Sequence, residues 1–361
     1  MRKSVLLMLT AIVLASLVLS ACGGAPASSN APVVLNGAGA TFPLPVYTEW
    51  IQMYKTVQPD ITINYQGIGS GGGQKAILDG TVDFAGSDSL LKEEQYALMP
   101  DLQMLPMLAG AVVPIYNLPG VENLVLDGQT LVDIFMAKIT RWNDPAIAAL
   151  NPGASLPDAS IVVVHRSDGS GTTEIFTTYL GAVSQDWADN VGVGKAVEWP
   201  ADALGQGVGG KGNPGVAQAV QATPNAIGYV ELAYAKSNAL AMVRMINAAG
   251  NTVEASAETM QDAMAAFANA FDARMTAAIV NAPGENSWPI MGYTYIIVHI
   301  TENQDCAKAK ALVNFIQWAV SDSGAAQKAA DLGYATLPDA VRILVTDKLQ
   351  KVTCDGQPVL P

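Results

Sequence analysis

From residue 33 to the C-terminus, short apolar runs alternate with amphipathic stretches of helical period. This alternation restricts the chain to an α/β architecture with mostly parallel sheets, because each parallel strand needs a crossover that returns over the sheet. Residues 33–35, 61–65, 82–85, 111–115, 161–165, 227–230 and 293–300 read as strands. Residues 46–56, 131–137, 172–180, 216–222, 257–278 and 307–320 read as helices, the first carrying Trp50 and Tyr54 four apart on one face. No internal repeat is present, and residues 205–215 read as a Gly-rich loop.

Three of the strand-to-helix junctions share one chemistry. The first is NGAGATFP (36–43), the second YQGIGSGGG (65–73) and the third HRSDGSGTT (165–173). Glycine lets the backbone approach a ligand closely. The first amides of a helix lack intrahelical partners and carry the positive end of the dipole, so such a turn suits an anion. Ser and Thr hydroxyls add donors. In the third turn Arg166 supplies a planar fork suited to an oxyanion. Each turn alone is also what an ordinary N-cap looks like; three together would converge on one small tetrahedral anion. Gly67, Gly69 and Gly72 match the dinucleotide fingerprint, with Asp88 near the ribose-acid spacing. The following helix, ending by about Gly80, is too short for that crossover.

The N-terminus gives an address. Arg2 and Lys3 precede an apolar run over residues 5–19, the length of a signal-peptide core and short for a membrane span. Leu19-Ser20-Ala21-Cys22 resembles the bacterial lipobox, in which Cys22 becomes the lipidated first residue; a plain secretory signal with an incidental Cys is the alternative. The expected division is a lipoprotein signal over 1–21 and a Gly/Ala/Ser/Pro tether over 22–32. The rest of the chain exceeds the size one core usually supports, so two domains are expected. The formal net charge of −13 makes nucleic acid an improbable partner and leaves anion binding to local dipoles and a few placed cations. Besides Cys22 the chain has Cys306 and Cys354, read as a disulfide, with two separate buried thiols as the alternative.

The three turns, together with VDFAGSD (82–88), resemble the phosphate-binding proteins of bacterial phosphate ABC transporters. NLPG (117–120), ITRWNDP (139–145), LNPG (150–153), GGKGN (209–213), AIGYVE (226–231) and WPI (288–290) come after them in the same order, so the resemblance covers nearly all of the mature chain. It implies that Thr41, the amide of Phe42, and Ser70 hold phosphate from one domain, and that Arg166, Ser170, the amide of Gly171, and Thr172 close on it from the other. Asp88 would also touch the ligand, and Asp168 would orient the arginine. The implied fold is a two-domain periplasmic-binding-protein (type II) fold. Residues 33–109 and 288–361 would form domain I and 110–287 domain II, with the ligand cleft between them and two hinge strands joining them. The implied protein is a monomer outside the cytoplasmic membrane, attached only by its lipid, that hands phosphate to permease subunits. The lengthening between Pro200 and Gly209, and the cysteine pair, depart from the family pattern.

A carboxylate beside an anion repels it unless the anion brings a proton. Phosphate at neutral pH does, and sulfate does not, so Asp88 predicts rejection of sulfate, molybdate and tungstate. Read alone, Asp88 is equally an N-cap for the segment from Ser89. A secreted phosphatase is the rival of another class. His165 and His299 show no metal-ligand spacing, and Ser170 sits outside a G-x-S-x-G elbow, so no catalytic residue, metal or cofactor is expected. A surface protein that senses phosphate or adheres without a transporter fits the same residues.

Overall fold

The computed structural model describes residues 32–267 and 270–360; the apolar leader, Cys22 and the tether through residue 31 lie outside the described residues. Within the unit Val33–Pro361, the strands are β1 (Val33–Gly39), β2 (Ile61–Gly67), β3 (Phe84–Ser87), β4 (Leu102–Tyr116), β5 (Val125–Asp127) and β6 (Val162–Arg166). They continue with β7 (Gly207–Gly210), β8 (Ala226–Glu231), β9 (Ala241–Met242), β10 (Arg244–Ile246), β11 (Thr252–Val253), β12 (Met291–His299) and β13 (Ala335–Thr336). The main sheet runs β2-β1-β3-β12-β4-β8-β6-β7, with β9 and β13 also on β4, and β11-β10-β5 form a small second sheet.

Within the main sheet, parallel pairing is confined to the two ends, β2-β1-β3 and β8-β6-β7; in the small sheet β10 and β5 also run parallel. The centre is antiparallel, where β12 pairs with β3 and β4, and β4 with β8. The expectation of mostly parallel sheets therefore holds only for the ends, where helices cross between strands. β4 and β12 belong to no such crossover unit; they run through the middle. All fifteen residues of β4 are buried. Its Leu102–Ala111 part pairs with β12 and its Val112–Tyr116 part with β8. The strand read over 111–115 covers only the C-terminal part of β4 and already contains Pro114; the part before it carries Pro106, which weakens a strand pattern. The ladder accommodates Pro106 by a register shift opposite Thr294 and Tyr295, a bulge where an amide donor is missing.

Two other expectations change. The loop read over 205–215 contains β7, a parallel partner of β6 whose three glycines hide any strand pattern. The helix read over 257–278 stops at Ala265. Further on, the Asp272 carboxylate accepts from the amides of Arg274 and Thr276 and from the Thr276 hydroxyl, a local turn that competes with helix.

Aromatic packing sets where the site-bearing helices begin. Phe176, on the helix Gly171–Val183, stacks on Tyr229 of β8 with ring centroids 4.3 Å apart. Tyr47, on the helix Leu44–Val57, meets Tyr65 of β2 edge-on at 5.2 Å. The Tyr65 hydroxyl in turn donates to the Ala40 carbonyl at 2.9 Å. Each helix is thereby fixed against the sheet a few residues from its start.

Cys306, opening the helix Cys306–Ser321, is bonded to Cys354, with Cα atoms 5.4 Å apart and 48 residues of sequence separation. In the chain-entropy model such a loop closure contributes about 4 kcal/mol. Replacing both cysteines by alanine should lower the unfolding free energy in urea by about 2–4 kcal/mol. An unchanged midpoint would mean that the C-terminal segment is held by its other contacts alone.

Candidate functional site

The three turns lie at strand C-terminal ends, where α/β folds collect their functional residues. β1 leads through Thr41 and Phe42 into the helix Leu44–Val57. Thr41 is buried, and its carbonyl accepts from the Tyr234 hydroxyl at 2.6 Å. The Phe42 ring enters the core, and its carbonyl accepts from Tyr334 at 2.7 Å. β2 leads through Gly69 to Ser70, the first residue of the helix Ser70–Leu78. β3 ends beside Asp88. β6 ends at Arg166, and Ser170 caps the helix Gly171–Val183 by accepting from the Thr173 amide at 3.0 Å.

The second and third turns touch through their backbones. The Gly71 amide donates to the Gly169 carbonyl at 2.9 Å. The Ser70 hydroxyl accepts from the amides of Asp88 and Gly171, each at 3.1 Å, and lies 3.3 Å from an Asp88 carboxyl oxygen. A Cβ on Gly171 would sit 2.5 Å from the Ser70 Oγ, so no other residue fits there without displacing the contact. Gly69 is required twice over: its φ is +82°, and a Cβ would come within 2.2 Å of Asp168 Oδ2. Side chains stitch the surroundings. Glu174 accepts from the Ser89 hydroxyl at 2.6 Å and the Leu90 amide at 3.0 Å, and Lys195 donates to Gln74 at 2.6 Å.

Arg166 is almost wholly buried and faces Asp168 with a two-pronged contact, Nε at 2.8 Å and Nη2 at 2.6 Å. Asp168 also accepts from the Gly212 amide at 2.9 Å. Burial works to raise the Asp168 pKa, but the hydrogen bonds and charge of Arg166 outweigh it and hold the carboxyl below its usual range. The remaining prong, Nη1, donates to the Thr172 hydroxyl at 3.3 Å. Asp88 is 5% exposed and accepts from the Thr294 hydroxyl at 2.7 Å. Burial pushes its pKa up to about 7, against the opposing pull of Thr294, Arg166 and Ser70.

The structure thus brings Thr41, Phe42, Ser70, Asp88, Arg166, Asp168, Ser170, Gly171 and Thr172 to one cluster. Sequence reasoning missed Asn213, whose side chain donates to the hydroxyls of both Thr41 (3.0 Å) and Thr172 (3.1 Å). It also missed Thr294, Tyr234, Tyr334 and Glu231. Asn213 and Glu231 close two of the quoted motifs, so a signal existed for them; Thr294 sits in an ordinary strand pattern and had none. Glu231 is fully buried at the end of β8. One of its oxygens accepts from the Ala233 amide (2.9 Å) and lies 3.0 Å from the Tyr334 hydroxyl, while the other has no partner among the described residues. Burial raises its pKa well above the usual value.

The two histidines lie in other settings. His165 stacks on Trp199 and is bonded to Asp202 at 2.9 Å, and His299 pairs with Asp101. Among the described residues, one group of three metal-ligating side chains occurs, Cys306, Cys354 and Asp355, and its two sulfurs are bonded to each other.

Residues 26–323 match the model of the PBP superfamily domain. Over 330 residues the chain is 44% identical to the phosphate-binding protein PstS of Pasteurella multocida, covering 90% of this chain and 92% of that protein. A phosphate-binding protein structure from Stenotrophomonas maltophilia superposes with a TM-score of 0.63 at 21% identity, covering 87% and 93% of the two chains. An ABC-type phosphate transport receptor from Vibrio cholerae gives 0.53 at 16%, covering 84% and 100%. At these identities the structural likeness concerns the fold, an α/β periplasmic-binding-protein architecture.

The raised Asp88 pKa has a stability consequence. Between about pH 4 and pH 7 the folded carboxyl keeps a proton that the unfolded one has lost, so native stability falls as pH rises through that window. Asp88→Asn should flatten this fall, removing a slope of up to about 1.4 kcal/mol per pH unit. Urea midpoints of ligand-stripped protein at pH 5 and 7 read it. Equal slopes in wild type and variant would mean that Asp88 is ionised throughout.

Proposed function

This chain belongs to the PstS family of phosphate-binding proteins, and on that basis we propose that it captures inorganic phosphate in the Arg166 cluster and delivers it to an ABC importer. It is an extracytoplasmic binding protein and not an enzyme. The observation that carries the ligand assignment is a buried carboxyl, Asp88, set among hydroxyl, amide and guanidinium donors. An array of donors alone would take any oxyanion. A carboxyl in the array rejects an anion that cannot supply a proton, and among common tetrahedral anions phosphate can.

In this reading Thr41, Ser70, Ser170 and Thr172 donate from hydroxyls, and Phe42 and Gly171 from backbone amides, while Arg166 supplies charge-assisted bonds. Asp88 accepts the ligand's proton, and Asp168 holds Arg166 in its plane. Residues 33–109 with 288–361 act as one lobe and 110–287 as the other, with the crossings in β4 and just ahead of β12 as the hinge. Closure presses the third turn against the second, and the closed form is what the permease subunits recognise. Two features support the lobes: the antiparallel centre of the sheet, and backbone contacts between residues far apart in sequence. Cys22 carries the lipid after removal of residues 1–21, and residues 22–32 tether a monomer to the membrane.

Calorimetric titration of residues 33–361, stripped of endogenous ligand by unfolding and dialysis, should give one-to-one phosphate binding and no heat with sulfate. Well-folded protein that binds neither ion, or both equally, would overturn the ligand assignment and leave the fold intact. Arg166→Ala should weaken phosphate binding at least about tenfold, the scale of a lost charge-assisted bond. Near-normal affinity would remove Arg166 from the site. Asp88→Asn should narrow the gap between phosphate and sulfate, and an unchanged gap would place selectivity elsewhere.

A further inference from the structure

We infer that Asn213 is a positioning residue that fixes the hydroxyls of Thr41 and Thr172 as hydrogen-bond donors toward the bound anion. The inference rests on the phosphate reading of the site and concerns a residue outside the three turns.

A hydroxyl has one proton to give and two lone pairs with which to accept. The Thr41 Oγ1 accepts from the Asn213 backbone amide at 3.1 Å and from Asn213 Nδ2 at 3.0 Å. The Thr172 Oγ1 accepts from the same Nδ2 at 3.1 Å and from Arg166 Nη1 at 3.3 Å. Both lone pairs of each hydroxyl are therefore occupied by N–H donors. The one remaining capacity is the proton, which has to be donated. The two Nδ2 protons divide between the two threonines.

The orientation of the Asn213 amide is itself determined. Its Oδ1 accepts from the Glu231 amide at 3.0 Å, so the group facing the threonines must be the NH₂. The side chain is completely buried. The preceding residue, Gly212, gives its amide to Asp168, so the start of the helix Gly212–Ala222 sets both the arginine's counter-ion and the two hydroxyls. The two threonine hydroxyls can only donate, and Asp88 is left as the acceptor for a ligand proton. Without Asn213, each threonine regains a lone pair and loses its fixed direction.

The test is a double-mutant cycle read by calorimetric phosphate titration of the ligand-stripped protein. Asn213→Ala in the wild-type background should weaken phosphate binding about tenfold or more, the scale of a buried polar network losing its partner. In a Thr41→Val/Thr172→Val background, titrated to millimolar phosphate, the same change should cost no more than about twofold, because the groups through which Asn213 acts are gone. An equal cost in both backgrounds would show a packing role only and overturn the inference. If wild-type protein binds no phosphate, the ligand assignment fails instead, and the two failures are distinguishable. Should Asn213→Ala not fold, nitrogen–proton NMR of the phosphate-bound wild type asks the same question. Both Asn213 Nδ2 protons should resist exchange with water; one freely exchanging proton would overturn the inference.

Discussion

The site exists because two stretches of backbone, residues 69–71 and 169–171, come into direct contact. The Gly71–Gly169 hydrogen bond and the Ser70 hydroxyl, which takes amides from Asp88 and Gly171, join segments roughly a hundred residues apart. No side chain could stand between them, since a Cβ on Gly69 or Gly171 would overlap its neighbour. With that approach fixed, the helix that begins at Gly171 starts beside the helix that begins at Ser70, its first amide on the Ser70 hydroxyl. Their dipoles then add where the side chains converge.

Charge in the cluster is nearly cancelled before any ligand arrives. Arg166 is already paired with Asp168 in a buried two-pronged contact, which satisfies the guanidinium that burial would otherwise penalise. Asp88 is divided between its two forms near neutral pH, because burial raises its pKa to about 7, and its ionised form is the one that accepts the ligand's proton. For a chain of formal charge −13 this arrangement matters, since the long-range field opposes an anion. Attraction comes from short-range dipoles held in place, which lose nothing to reorganisation when the ligand enters.

Much of this was legible in the sequence. Glycine-rich strand-to-helix turns stand out by their spacing of Gly with Ser or Thr, and the nine residues implied by the family resemblance, eight in those turns and Asp88 outside them, fall in one cluster. Only residues 111–115 of the long strand β4 were read, since Pro106 weakens the strand pattern ahead of them. β7 was invisible because glycine carries no strand signal. The helix beyond Ala265 was overread because an Ala-rich run looks helical until Asp272 captures the backbone ahead of it. Asn213 escaped as a site residue for a different reason. Its partner Thr41 lies 172 positions away, and no local pattern encodes which lone pair a distant amide will fill.

Glu231 shows how proton bookkeeping reaches into the first turn. The Tyr334 hydroxyl owns a single hydrogen yet lies 2.7 Å from the Phe42 carbonyl and 3.0 Å from Glu231. If that hydrogen goes to Phe42, the contact with Glu231 is attractive only when the acid supplies a hydrogen of its own. Burial favours that neutral form, and it makes the unpartnered second oxygen far less costly than a bare carboxylate would be. The peptide that carries Phe42 is then held at the end of a two-link relay, carboxylic acid to phenol to carbonyl. The geometry of the first turn is thereby tied, through Tyr334, to an acid at the end of β8.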